Sequence, residues 1–117
     1  MSHYAHTHRI DKRAKRAAKR GAKLLDKHYP GWHRQINDAA LRMINYQDCI
    51  LGQLTGDYER GVCALKRKGA LVGPMQAAVV RHGFYSTAET QRYWHDLESA
   101  WTNEINQRRQ QEGNRDY

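Results

Sequence analysis

The chain is poor in large aliphatic side chains: 8 Leu, 5 Ile, 4 Val and a single Phe among 117 residues. With a formal net charge of +8, that share approaches the range in which a chain stays disordered. No run nears the length of about 18 apolar residues that a membrane-spanning helix needs, so a transmembrane protein is excluded. Residues 1–8 contain no apolar stretch, and no secretory signal is expected. Two cysteines, Cys49 and Cys63, are too few for a disulfide framework, and a reduced, cytoplasmic chain is expected. What is present in their place is three Trp and seven Tyr, each able to bury a large area. The expectation is one domain with a small aromatic core, aided by a partner or by self-association.

The charge is unevenly placed. Residues 1–35 hold ten Lys or Arg and two acids, and residues 36–117 hold ten of each. The whole excess therefore belongs to the N-terminal third. On a helical projection the basic residues from Arg9 to Lys27 fall within an arc of roughly 160°. Ile10, Ala14, Ala17, Ala18, Gly21, Leu24 and Leu25 lie opposite. This is the pattern of an amphipathic helix. Its apolar side is small at the start and larger near Leu24 and Leu25. The second half is expected to dock on the body and the first half to project or fray. Gly21 marks either a close helix contact or the division between arm and body.

Tyr29-Pro30-Gly31-Trp32 ends this helix. Asn37 and Asp38 suggest a cap for a segment from Ala39 to Ile44, with Leu41 and either Ile44 or Met43 inward. Asp48 suggests a cap for a segment carrying Cys49, Ile50, Leu51 and Leu54, too short to distinguish helix from strand. Gly56 closes it, and Asp57 caps Tyr58 to Leu65. Residues 69–74 form a loop in which Leu71 and Val72 could pair weakly. Pro74 opens a helix from Met75 to Arg81, closed by Gly83. Ser86-Thr87-Ala88-Glu89 has the form of a capping box. Trp94, Leu97, Trp101 and Ile105 follow at helical spacing, in a helix expected to reach about Gln110. The fold class expected is all-α: a small bundle of about five helices with a basic N-terminal helix. Residues 1–20 form the arm, 21–112 the domain and 113–117 a polar tail. Trp32, Trp94, Trp101, Leu54, Leu97 and Phe84 are the expected core.

Several segments resemble a group of small uncharacterised proteins from actinobacterial phages and their hosts. They are Gly21-Ala22-Lys23-Leu24-Leu25-Asp26, Pro30-Gly31-Trp32, Cys49-Ile50-Leu51-Gly52-Gln53-Leu54, Gly56-Asp57-Tyr58 and His82-Gly83-Phe84, together with Ile36, Gly61, Trp101 and Ile105. The resemblance covers roughly residues 21–105, and Arg9 to Arg20 lie outside it. It implies a phage-type protein in the cytoplasm of a bacterial host. It implies no activity and no catalytic residue.

No catalytic constellation stands out. Thirteen residues separate Cys49 and Cys63, and no Cys-x-x-Cys occurs, so no structural zinc spacing is present. His3, His6 and His8 could hold nickel or zinc loosely, as any histidine tract can, while His28, His33, His82 and His95 are scattered. Both cysteines are expected to be buried free thiols. A Cys49–His82 pair lacks any flanking signature, and Ser86 and Ser99 read as a helix cap and a mid-helix residue. There is no phosphate-binding glycine loop. No enzyme, cofactor or metal is expected.

The basic helix is the one feature above background. Arg9, Lys12, Arg13, Arg16, Lys19, Arg20 and Lys23 are the candidate nucleic-acid contacts, directed at backbone phosphates with little reading of bases. The alternative is an effector that binds an acidic host protein and no nucleic acid. A membrane surface fits less well, because the apolar face of the helix is mostly Ala.

Overall fold

A computed structural model describes residues 9–87 and 90–115. Five α-helices run in order: α1 Lys12–His28, α2 Ile50–Thr55, α3 Tyr58–Arg67, α4 Met75–Arg81 and α5 Gln91–Arg115. Two short 3-10 turns, Trp32–Gln35 and Asp38–Ala40, join α1 to α2. There is no strand among the described residues, so the segments at 50–54 and 71–72 are helix and loop.

The long helices α1 and α5 form the frame. The Asp11 N–H donates to Asp96 Oδ2 at 3.0 Å at one end. Asp26 binds Arg108 at the other end. The two helices therefore run in the same direction, and everything from 29 to 90 returns the chain to their common starting end. Helix α1 begins where Asp11 Oδ1 accepts the Arg13 N–H at 2.8 Å, an N-cap that satisfies one free donor. Its inner face is Ala14, Ala18, Ala22 and Leu25, each 0 % exposed. The first half of α1 is thus docked, contrary to the projecting arm expected from its weak apolar face. Alanine offers little area, but it lets two helix backbones approach closely, and the stripe is buried to its start.

Gly21 is such a close approach. A Cβ there would overlap the His82 carbonyl oxygen and lie 2.7 Å from Trp101 Cζ2. Gly83 faces it from the turn after α4, with φ +71° and no room for a Cβ against the Ala17–Ala18 backbone. The Trp101 Nε1–H donates to the Gly83 carbonyl at 2.7 Å, which ties α5, α4 and α1 at one point.

The core is aromatic. Trp101 stacks on Phe84 and meets Trp32 edge-on, each at 5.6 Å between ring centroids. Trp32, Phe84, Trp101 and Leu97 are fully buried or nearly so, and Trp94 is 9 % exposed. Leu54 is only half-buried against this cluster and does not belong to its centre.

Other local expectations are corrected. Residues 39–44 are not helical: after one 3-10 turn the chain is extended at Leu41. Leu41 and Met43 alternate inward, which leaves Ile44 63 % exposed. Helix α2 is capped by Cys49, whose Sγ accepts the Gly52 N–H at 3.2 Å, and not by Asp48. Asp57 does cap α3, accepting from the Arg60 N–H at 2.8 Å. Helix α5 opens at Gln91, with Thr90 Oγ1 accepting from Tyr93 N–H, so its start lies beyond the Ser86 cap. Ala88 and Glu89 of that box lie outside the described residues. Helix α5 continues to Arg115, past the expected end near Gln110.

Candidate nucleic-acid interface

The solvent face of α1 carries the candidate residues. Lys12, Arg13, Arg16, Lys19 and Lys23 are exposed, and Arg20 is half-buried. Arg9 is also exposed but precedes the helix, beyond its Asp11 cap. Three of the seven differ from the rest in their surroundings. Arg13 is bound by Asp11 through Nε at 3.2 Å and Nη2 at 2.8 Å, and lies over the Tyr93 ring at 5.3 Å. The paired guanidinium holds the Asp11 carboxyl down at about 2. Arg20 Nε donates to the Arg81 carbonyl at 2.8 Å, at the C-terminal, electronegative end of α4. Arg9 lines a small hollow of about 280 Å³ with Arg13, Thr90, Arg92 and Tyr93, where Asp11 and Asp96 supply opposing charge.

Lys12, Arg16, Lys19 and Lys23 have no ion-pair partner among the described residues, and neither does Lys15 between them. Lys15, Arg16 and Lys19 form one wall of a groove of about 400 Å³ between α1 and α5. Ala100, Asn103, Glu104 and Gln107 form the other. Glu104 is the only acid in its lining, and it pairs at 3.0 Å with Arg108, which Asp26 also shares; its side chain is 12 % exposed.

The groove is held rigidly. Arg108 grips Asp26 with two bonds of 2.8 Å and lies 5.6 Å from the Trp32 ring centroid. The Trp32 Nε1–H adds a bond of 2.9 Å to the same carboxylate. Arg108, then Trp32, hold the Asp26 carboxyl below its usual range against the opposing effect of burial. Further along, Glu112 accepts from Arg34 Nε at 2.8 Å and contacts His33 Nε2. Arg109 donates to the Ile36 carbonyl at 2.7 Å and pairs with Asp38 at 3.2 Å. The far end of α5 is thereby locked to the turn that follows α1.

A second surface was not legible in the sequence. Tyr46 stacks on Tyr58 at 5.7 Å, Tyr58 lies 6.0 Å from Tyr85, and Tyr85 meets Trp94 edge-on at 5.8 Å. This ladder borders a cleft of about 640 Å³ that includes Met43, Ile44 and Phe84. Ile44 and Tyr46 are 63 % and 60 % exposed at its mouth. Burial pushes the Tyr58 hydroxyl up to about 12, so it is a neutral phenol throughout the useful pH range.

Both cysteines are free thiols, but only Cys49 is buried, and Cys63 is exposed on α3. The expectation that both are buried is corrected, because Cys63 lies on the outer face of that helix. No group of three or more His, Cys, Asp or Glu converges among the described residues. His3, His6 and His8 lie outside them. No described helix is long and apolar enough to cross a membrane. Compared with protein-family models, with curated proteins and with solved structures, the chain matches none.

Proposed function

We propose that this is a small phage-type nucleic-acid-binding protein that grips backbone phosphates through α1, without catalysis. The observation that carries the reading is a row of cations without an ion-pair partner among the described residues, Lys12, Lys15, Arg16, Lys19 and Lys23, on a helix docked along its whole inner face. Phosphates attract such a row and release condensed counterions as they bind. A docked helix loses little further freedom on binding, unlike an arm that must first become ordered. Arg9, Arg13 and Arg20 extend the row at its edges.

Titration of purified protein with random-sequence DNA and RNA at two salt concentrations tests this. Four or five phosphate contacts give a log–log salt slope of about −4, or roughly 250-fold weaker binding between about 50 and 200 mM salt. Arg16→Glu with Lys19→Glu removes binding and leaves unfolding unchanged. Arg20 is unsuitable for that test because it also holds the end of α4. Absence of binding to either nucleic acid at about 50 mM salt refutes the reading.

A second reading, an effector that docks on a host protein, is favoured by the exposure of Ile44 and Tyr46 at the aromatic cleft. It predicts that Tyr46→Ser abolishes capture of that protein, whereas the α1 charge reversals leave it intact.

A further inference from the structure

Helix α5 presents an unusual solvent face beside the basic row. From Ser99 to Gln111 its exposed residues are Ser99, Asn103, Asn106, Gln107, Arg109, Gln110 and Gln111, with no acid among them. The one acid of this stretch, Glu104, lies low in the groove wall, 12 % exposed, and pairs with Arg108. The five exposed amides make no hydrogen bond to any described residue. Two amides elsewhere are engaged in the fold, while Gln35, Gln47, Gln76 and Gln91 are single exposed amides outside any such row. Gln53 binds the Asn37 N–H and two carbonyls, and Asn45 accepts from two backbone N–H groups. An exposed helix face gains more from Glu, Lys and Arg, which form i,i+4 pairs, and asparagine is a weaker helix former than any of these.

Asn103 and Gln107 are four residues apart, one above the other, and both line the groove whose other wall is Lys15, Arg16 and Lys19. Cations beside unengaged amides are the two parts of sequence-dependent recognition: phosphate contacts set position, and base-edge contacts specify. A carboxamide offers a donor and an acceptor together, which matches N6 and N7 of adenine. A helix can bring such groups to base edges in the major groove of B-form DNA. The major groove of an RNA duplex is too narrow for it.

Resting on the nucleic-acid reading above, we propose that α5 is a base-reading helix. Asn103 and Gln107 recognise adenine in the major groove of duplex DNA, while Lys15, Arg16 and Lys19 of α1 hold the flanking phosphates. The ligand class is duplex DNA with A·T pairs in a short site, and Asn103 and Gln107 are the specificity-determining residues.

Selection from a pool of random-sequence DNA duplexes tests this, with wild type and N103A/Q107A compared. Both residues are exposed, and alanine favours a helix, so the variant keeps its fold. Wild type enriches a motif containing A·T pairs. The variant loses that preference by about 5- to 150-fold per contact, while its affinity for random duplex and its salt slope stay as in wild type. In the selected site, 7-deazaadenine, which lacks the N7 acceptor, weakens wild type but not the variant. Duplex binding without any enriched motif overturns the inference and leaves the phosphate reading standing. So does a motif that survives N103A/Q107A, or binding confined to single strands or RNA. Failure to bind any nucleic acid at about 50 mM salt removes both.

Discussion

Gly21→Ala has an effect whose sign separates tertiary packing from helix propensity. In an exposed mid-helix position this change gains about 1 kcal/mol. Here the new methyl would overlap the His82 carbonyl oxygen and lie 2.7 Å from Trp101 Cζ2. The oxygen is backbone and cannot swing aside, since the turn is fixed by bonds from Gly83 N–H to Val80 at 3.1 Å and Phe84 N–H to Val79 at 2.9 Å. Helix α1 must therefore lift from the turn. Overpacking of this kind costs about 2 kcal/mol. Displacement of the Gly83 carbonyl from the buried Trp101 Nε1–H costs about another 2 kcal/mol. Less the propensity gain, the net loss is about 3 kcal/mol, or roughly 12 °C in Tm for a chain of this size. Urea denaturation followed by Trp fluorescence measures it. Gly113→Ala is the control, because nothing lies within 4 Å of a Cβ there, and it should be neutral or slightly stabilising. A Gly21→Ala protein as stable as wild type would refute the packing argument.

Trp101→Ala should cost about 3–5 kcal/mol, since the ring contacts Phe84 and Trp32 and carries the bond to Gly83. An unfolding midpoint close to wild type would contradict the core assignment. His33 gives the protein a pH dependence. Burial, then the cations Arg34 and Arg108, lower its pKa from the ordinary 6.5, against the pull of Glu112 and Asp26, and its buried Nδ1 has no hydrogen-bond partner among the described residues. The unfolded chain then binds the proton more readily, so this stability is full above pH 6.5 and falls as pH drops through the lower folded value. Urea midpoints should fall between pH 7.5 and about pH 5, and His33→Gln should shrink that difference; an unchanged difference assigns it to other groups. In native protein Cys63 should react promptly with a thiol reagent. Cys49, its thiol pKa pushed up by burial, should react only on unfolding; two fast thiols would mean that the start of α2 is open.

Elements with their own punctuation were legible in the sequence. Gly56 closes α2, Asp57 caps α3, Pro74 opens α4, and the spacing of Trp94, Leu97, Trp101 and Ile105 marks α5. The stretch from 37 to 49 was not. Asn37 and Asp38 suit a helix cap and a turn equally well. What decides between them comes from afar. Gln53 holds the backbone of Asn37, and Glu98 takes the Met43 N–H across 55 residues. No local periodicity encodes such bonds, and they keep Leu41 and Met43 alternating inward.

The basic row was equally legible, because its period lies within one helix. Which of its charges are unengaged was not, because the partners of Arg13 and Arg20 are a cap residue and a carbonyl 61 residues away. Docking of the row was missed for the same reason. A stripe of alanines looks weak until the residue opposite it is known, and here the opposing surface includes the Gly83 turn and the face of α5. That docking connects fold to function. If phosphates meet a helix already fixed in place, binding is favoured by an ordering cost already met in folding. Gly21→Ala changes no charge, yet it lifts α1 from the turn. It should weaken DNA binding at constant salt while leaving the salt slope near −4, since the number of cations is unchanged. Equal affinity for wild type and Gly21→Ala would mean that the charges of α1 act without their fixed placement, and the row would then be no more than a basic tail.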